Sequence, residues 1–115
     1  MIRFDFTPER ARFVHEVDLD GAAYRLTLTW KETLGAWYLD VRTAIGNPIV
    51  LGQRVSPGGI LIPDPTIDGA PPGLLHVQGP DPYLREDLGG SLSICYLTAE
   101  EVRLARLAVI AAGES

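Results

Sequence analysis

The stretch Trp37-Tyr38-Leu39-Asp40-Val41, followed by Gly46-Asn47-Pro48-Ile49-Val50-Leu51-Gly52, decides the fold class of this chain. Aromatic and branched residues alternate with polar ones at period two, Gly-Asn-Pro interrupts the alternation, and apolar residues then resume. Such a pattern predicts a strand, a turn and a second strand. Along the two strands we expect one inward-facing apolar set, made of Trp37, Leu39, Val41, Ile49, Leu51 and Val55.

A hairpin is predicted just upstream. Asp20-Gly21 is typical of a two-residue turn of type I′, because both positions of that turn require a positive φ. Residues whose numbers sum to 41 then face each other, so that Glu16 opposes Arg25 as a favourable charge pair. The same register puts His15 opposite Leu26 on the apolar face and predicts a partly buried structural histidine. A slip of one residue would turn the apolar set outward, so turn and pattern specify the same register.

Length and composition indicate one small globular domain. The chain has 115 residues, of which 46% are hydrophobic and 22% charged, and its 12 glycines and 9 prolines suit many tight turns. We therefore expect a single all-β domain over residues 1–115, barrel-like or sandwich, of mainly antiparallel strands with a short C-terminal helix. The formal charge of −5 argues against electrostatic binding of DNA or RNA, so no direct nucleic-acid ligand is expected.

Cysteine use and hydropathy indicate the compartment. Cys95 is the only cysteine, so no intramolecular disulfide can form, and we expect it to pack as a small apolar strand residue. A reactive thiol is the sharper alternative, but no local cationic cluster supports it. No charged-then-apolar signal opens the sequence, and no apolar run approaches the roughly 20 residues of a membrane span. Synthesis in a cytosol-like compartment, without a membrane span, is expected.

The C-terminal segment changes to a helical period. Thr98-Ala99-Glu100-Glu101 fits a capping box, and Val102 to Ala112 then predicts a helix that ends near Gly113. Only Arg103 and Arg106 interrupt its apolar surface, so residues 98–112 are expected to cover the sheet or to dock on another subunit. A strand from Val102 to Ile110 is the competing interpretation.

The sequence gives little support for a catalytic site, a metal site or a cofactor site. The sequence has no nucleotide-binding glycine loop, nucleophile elbow or metal-binding helix, and no cofactor, metal or enzymatic activity is expected. The acidic residues Asp81, Glu86 and Asp87 do not match a calcium loop, which favours a solvated acidic loop. A hydrolase that uses His15 or His76 would need a carboxylate or nucleophile within hydrogen-bond reach.

Two sets of residues are candidates for binding. Trp30 and Trp37, with the loop from Asp81 to Asp87, would suit a small β-sheet module that binds a glycan or peptide, although core packing of both tryptophans is the plainer interpretation. The apolar triplet 60–62 is either a short strand that closes the sheet or a surface for a partner. The candidate partner interface comprises Ile60, Leu61, Ile62, Tyr83, Leu84, Val102, Leu104, Leu107, Val109 and Ile110.

The order and spacing of several short pieces resemble a known family, the small baseplate plug proteins of contractile-tailed bacteriophages. The resemblance runs from the Phe13 strand to about Glu101, and the tail beyond Glu101 departs from it. The pieces that carry it are the strand from Tyr24 to Trp30, Trp37-Tyr38-Leu39-Asp40, Asn47-Pro48-Ile49, Leu51-Gly52, Leu61, Asp81-Pro82, Leu88-Gly89-Gly90 and Ile94-Cys95-Tyr96.

The resemblance implies a structural protein of the virion, made in the bacterial host cytoplasm. It implies a place at the distal end of the tail tube, near the hub and spike, where the protein helps to close or shape the tube until contraction. Tail tube, hub and spike proteins are the expected partners, with several copies of the chain in the assembly. An acidic surface suits such a place, because a negative wall would not retain passing DNA.

Overall fold

The architecture comes from a computed structural model. It describes residues 1–4, 6, 10–62 and 66–113, with the side chains of the terminal helix described up to residue 108. The elements in this part of the chain are, in order, β1 (Ile2–Arg3), β2 (Arg12–Leu19), β3 (Ala22–Lys31), β4 (Ala36–Thr43), β5 (Pro48–Arg54), β6 (Leu74–Gln78), a 3₁₀ turn (Arg85–Asp87), β7 (Ser93–Leu97) and α1 (Ala99–Gly113).

The strands form two antiparallel sheets. One sheet has the order β2-β3-β4-β5, a meander in which each strand pairs with the next along the chain, and the other has the order β1-β7-β6. The arrangement is an open sandwich and not a closed barrel, which settles the choice that the sequence left open. The predicted all-β class with a short C-terminal helix is confirmed.

The first hairpin has the register that its turn predicted. Asp20 and Gly21 take φ values of 53° and 83°, and β2 pairs with β3 so that opposing residue numbers sum to 41 along the ladder. The Glu16 carboxylate accepts a hydrogen bond from Nε of Arg25 at 3.3 Å, and both side chains are exposed. An exposed pair of this kind adds little stability, so the turn and the apolar face set the register.

A bulge in β5 contradicts one part of the predicted inward set. The register between β4 and β5 shifts between Leu39 and Val41, so that two residues of β5 oppose Asp40. Gly52 takes a φ of 65°, and its N–H donates to Oδ1 of Asp40 at 2.6 Å. This extra residue turns Leu51 outward, where it is 53% exposed, so the prediction that Leu51 faces inward is wrong.

One core lies between the sheets. The inward faces of β3 and β4 supply its largest part, and Trp37, Leu39 and Val41 are fully buried, as predicted. The second sheet contributes the inward side chains of β6 and β7, among them Tyr96. Cys95 is also buried, and burial raises the pKa of its thiol, which fits the predicted packing role and not a reactive thiolate.

The apolar triplet 60–62 runs along the free side of β6. Gly58 and Leu61 donate backbone hydrogen bonds to the carbonyls of Val77 and Leu75, and Ile60 pairs with His76 in an isolated antiparallel bridge. Leu61 is therefore buried, whereas Ile60 points outward and is 48% exposed. The triplet thus extends the second sheet and, on its outer side, also presents apolar surface.

Residues 99–113 form the predicted helix and not the alternative strand. The Thr98 hydroxyl accepts from the N–H of Glu101 at 3.2 Å, and the Glu101 carboxylate accepts from the N–H of Thr98 at 3.2 Å, so the predicted capping box is present. Within the described residues, no helix combines the length and the apolar character that crossing a membrane would require.

Candidate partner-binding surface

The candidate interface residues do not lie together on one surface. Leu61 and Tyr83 are buried, at 1% and 8% exposure, and belong to the core of this chain. Leu84 is 62% exposed and directly precedes the 3₁₀ turn. The side chains of Val109 and Ile110 lie outside the described residues. No observation tests the set as a partner surface, and it stays a prediction.

Four of the remaining candidates, Ile60, Ile62, Val102 and Leu107, line a groove that we call the α1 groove. It has a volume of about 450 Å³. It lies between helix α1 on one side and, on the other, the triplet 60–62 and residues 71–75, which include the start of β6. Its lining consists of Ile60, Ile62, Pro71, Pro72, Gly73, Leu74, Leu75, Ala99, Val102, Arg103, Arg106 and Leu107. Leu104, although half exposed on the same helix, does not line it. The structure thus brings together both ends of the predicted interface, the triplet and the helix.

A buried tyrosine hydroxyl fixes the start of α1 over the sheet. The hydroxyl of Tyr96 donates to Oδ2 of Asp20 at 2.5 Å and accepts from the N–H of Gly73 at 2.8 Å. The same Asp20 oxygen accepts from the N–H of Ala99, the first residue of α1, at 3.0 Å. Three segments far apart in sequence thereby meet at one point: the first hairpin turn, the segment before β6 and the helix N-terminus. Burial, with the Asp20 hydrogen bond, raises the pKa of Tyr96, so the hydroxyl stays protonated.

Gly73 is required by this arrangement. A Cβ at this position would lie 2.0 Å from the carbonyl oxygen of Leu97 and 2.5 Å from the Tyr96 ring. Any side chain would therefore push the segment 71–74 away from β7 and open the floor of the α1 groove.

Charges at the α1 groove are unevenly distributed. Two arginines, Arg103 and Arg106, line it, and its described lining contains no acidic residue. Arg103 pairs with Glu100 through a contact of 2.5 Å, whereas among the described residues no carboxylate lies within ion-pair distance of Arg106. The N-terminal ammonium group, and after it the hydrogen bonds of the capping box, lower the pKa of the Glu101 carboxyl. The groove therefore has a local positive charge on a chain that is acidic as a whole.

The two tryptophans, by contrast, are packed and do not form a ligand platform. Trp37 is fully buried, its ring lies edge-on to Trp30 with centroids 5.6 Å apart, and its Nε1 donates to the carbonyl of Arg85 at 3.1 Å. Tyr83 donates to the carbonyl of Val55 at 2.6 Å and accepts from the N–H of Trp37 at 3.0 Å. These bonds hold the loop against the core, so the geometry does not favour the glycan or peptide module.

Neither histidine is placed for catalysis. The ring of His15 packs edge-on against Phe6 and Phe13, with centroids 5.0 and 5.7 Å away. Nε2 of His76 is buried, and none of the described residues gives it a hydrogen-bond partner, while desolvation lowers the pKa of the imidazole. The described part of the chain also holds no group of three or more histidine, cysteine or acidic side chains arranged to bind a metal. These observations give the hydrolase interpretation no support.

Sequence reasoning missed part of the α1 groove. Pro71, Pro72 and Leu74 were not among the candidates, and Arg103 and Arg106 were noted only as interruptions of an apolar helix. A helical projection could have found the helix side, because positions 99, 102, 103, 106 and 107 share one face at a period of 3.6. No local signal relates that face to residues 60–74, since their proximity follows from tertiary packing.

A family model supports the resemblance seen in the sequence. The model described as cyanophage baseplate Pam3 plug gp18 matches residues 1–100. The match spans both sheets and the first two residues of α1, and leaves the rest of the helix outside. No curated protein matches the chain.

Proposed function

This chain belongs to the cyanophage baseplate Pam3 plug gp18 family, and we propose that it is the plug of a contractile tail, at the distal end of the tail tube near hub and spike. Membership makes it a structural protein of a phage baseplate, located in the tail baseplate of the virion and associated with other baseplate proteins. The contractile type of tail and the position beside hub and spike are the finer parts of the proposal.

The family match over residues 1–100 is the observation that carries the proposal. The two sheets and the loops between them, which we call the body, also support it through their hydrogen bonds. Tyr83 and Tyr96 each join segments that are distant in sequence through buried or part-buried hydroxyl bonds, which favours one fixed shape. A plug has to resist deformation and needs no chemistry of its own. We propose that it helps to close or shape the end of the tube until contraction.

The charge of the chain suits that position. With 15 acidic and 10 basic residues, the net charge is −5. DNA that passes along the tube carries dense negative charge, and an acidic wall repels it within about 10 Å at ordinary salt. We propose that the tube-facing surface is acidic, and a basic tube-facing surface in the assembled tail would contradict this part.

Partners and copy number belong to the same proposal. We propose contacts with tail tube, hub and spike proteins, with several copies of the chain around the tube end. Residues 1–115 would act as one domain in which the segment 98–112 is a docking tail. Within that segment Leu107, which lines the α1 groove, is 49% exposed in the free chain, as expected for a side chain that a neighbour covers.

Cryo-electron microscopy of intact tails tests the proposal. We expect density that fits the two-sheet body at the distal end of the tube, in contact with hub and spike, in extended particles. Density elsewhere in the baseplate would overturn the position and leave the family assignment intact. Purified particles that lack the chain by mass spectrometry would overturn the function itself.

A further inference from the structure

We infer that the α1 groove binds an apolar segment of another baseplate protein, and that this segment carries a carboxylate that pairs with Arg106. The inference rests on the proposed function for the presence of a neighbour. It adds the place on this chain where the neighbour binds and the chemistry of the segment that fits there.

The shape and the lining of the α1 groove favour a peptide segment. A volume of about 450 Å³ accommodates a few side chains of a partner. Ile60 and Leu107, on its two sides, are 48% and 49% exposed in the free chain. Facing apolar walls on a helix and on a strand-like segment are typical of sites that receive apolar anchors.

The groove is also held in place before any partner arrives. Asp20 accepts hydrogen bonds from both Tyr96 and the N–H of Ala99, and the capping box of Thr98 and Glu101 satisfies the end of the helix. The floor is fixed by the close contact of Gly73 with Tyr96. A preformed site loses little conformational entropy on binding.

The positive charge of the groove indicates the chemistry of the segment that binds there. Arg106 has no carboxylate partner among the described residues, and the described lining of the groove has no acidic residue. A carboxylate on the incoming segment, from Asp, Glu or a chain terminus, would form a paired guanidinium contact there. A two-fold contact between two copies of this chain would instead bring the arginines of both grooves together, which like-charge repulsion disfavours.

The test compares substitutions on one helix within the full chain. Leu107→Asp alters the groove, and Leu104→Asp is its matched control, since Leu104 is equally exposed at 51% but lies outside the lining. Arg106→Glu reverses the charge, and Arg106→Lys keeps it. Each variant is supplied to a phage that lacks the gene, the copies per purified baseplate are counted by quantitative mass spectrometry, and thermal melting verifies the fold.

We expect Leu107→Asp and Arg106→Glu each to lower the number of copies per baseplate about tenfold. Leu107 is the apolar contact and Arg106 the charged contact of the proposed interface, so the loss of either weakens binding of the partner. Leu104→Asp is expected to stay within about twofold of the wild type, and Arg106→Lys, which keeps the charge but loses the guanidinium fork, to fall between the wild type and Arg106→Glu. Equal losses for Leu104→Asp and Leu107→Asp would assign the contact to the outer helix face and overturn the groove. Normal incorporation of all four variants would overturn the inference while the proposed function stands.

Photo-crosslinking identifies the occupant directly. A benzophenone amino acid replaces Leu107, assembled baseplates are irradiated, and the joined peptides are sequenced by mass spectrometry. We expect one segment of another baseplate protein, with an acidic residue or a chain terminus within a few positions of the crosslink. Crosslinks to a second copy of this chain, or to a segment without a carboxylate, would overturn the assignment. If the wild-type chain itself is missing from particles, the proposed function fails with it.

Discussion

The two-sheet body and helix α1 keep their places by different means. Inside the body, buried side chains join distant segments, as Tyr83 does between Val55 and Trp37. In α1, every described side chain after Val102 is exposed, and the polar contacts that fix the helix are concentrated around its first turn. The family match also ends near that point, at residue 100. The body therefore supplies stability and shape, while most of the helix supplies surface.

The largest expected effect lies inside the body. Trp37→Ala removes a fully buried ring together with the bond from its Nε1 to the carbonyl of Arg85, so we expect unfolding to become easier by about 3–5 kcal/mol. Urea denaturation measures it. Trp30→Ala is the matched control, because Trp30 is only half-buried, and its loss should be clearly smaller. Equal losses for the two variants would show that the greater burial of Trp37 does not determine the loss of stability.

The next effect lies where body and helix meet. Tyr96→Phe keeps the ring but removes the hydroxyl, which leaves the N–H of Gly73 and an oxygen of Asp20 without that partner. We expect a loss of about 1–3 kcal/mol in the free energy of unfolding. Tyr24→Phe, which breaks a single bond to the carbonyl of Gly69, should cost less. A larger loss for Tyr24→Phe would contradict the role given to Tyr96 as the junction of three segments.

Removal of the helix tests the comparison directly. A chain that ends at Glu101 keeps the capping residues and loses residues 102–115. Since Val102 is the half-buried side chain among those described in the removed part, we expect a loss of no more than about 2 kcal/mol. The number of copies incorporated into baseplates should fall by a far larger factor than this loss of folding stability explains. Unchanged incorporation of the truncated chain would show that the helix is not a docking tail, and unfolding of the truncated chain would show that it belongs to the body.

The smallest effect is a dependence on pH. Desolvation lowers the pKa of His76 below its ordinary value of 6.5, so in acid the unfolded chain binds a proton that the folded chain does not. Stability should therefore fall as the pH drops below about 6.5. His76→Gln should flatten this part of a melting-temperature profile relative to the wild type. A profile that His76→Gln leaves unchanged would contradict the assignment.

Local chemistry made part of the fold predictable. The Asp20-Gly21 turn and the alternating pattern around it specify the register of β2 with β3 without reference to the rest of the chain. The capping box from Thr98 to Glu101 likewise marked the start of α1, because its partners are three residues apart. The bulge at Gly52 was not predicted, because the residue pattern of β5 alone does not show that the side chain of Asp40 in β4 accepts a hydrogen bond from the N–H of Gly52.

The candidate surface was only half predictable, for the same reason. Leu107 and Ile60 were recognised as apolar positions, but Tyr83 was expected at the surface, and it lies buried. Its burial depends on bonds to Val55 and Trp37, which are 28 and 46 residues away. Spacing along a chain carries no information about such contacts.

The sequence by itself determined the all-β class, the register of the first hairpin, the helix and its cap, and the family to which the chain belongs. Each of these depends on periodicity, on turn chemistry or on the order of short motifs, and all three can be read along the sequence without knowing which distant segments are in contact. Only the tertiary structure decided that the two sheets form an open sandwich, that Leu51 faces outward, and that helix and triplet enclose the α1 groove. Those outcomes depend on which distant segments bury one another, and that is decided when the whole chain packs around one core.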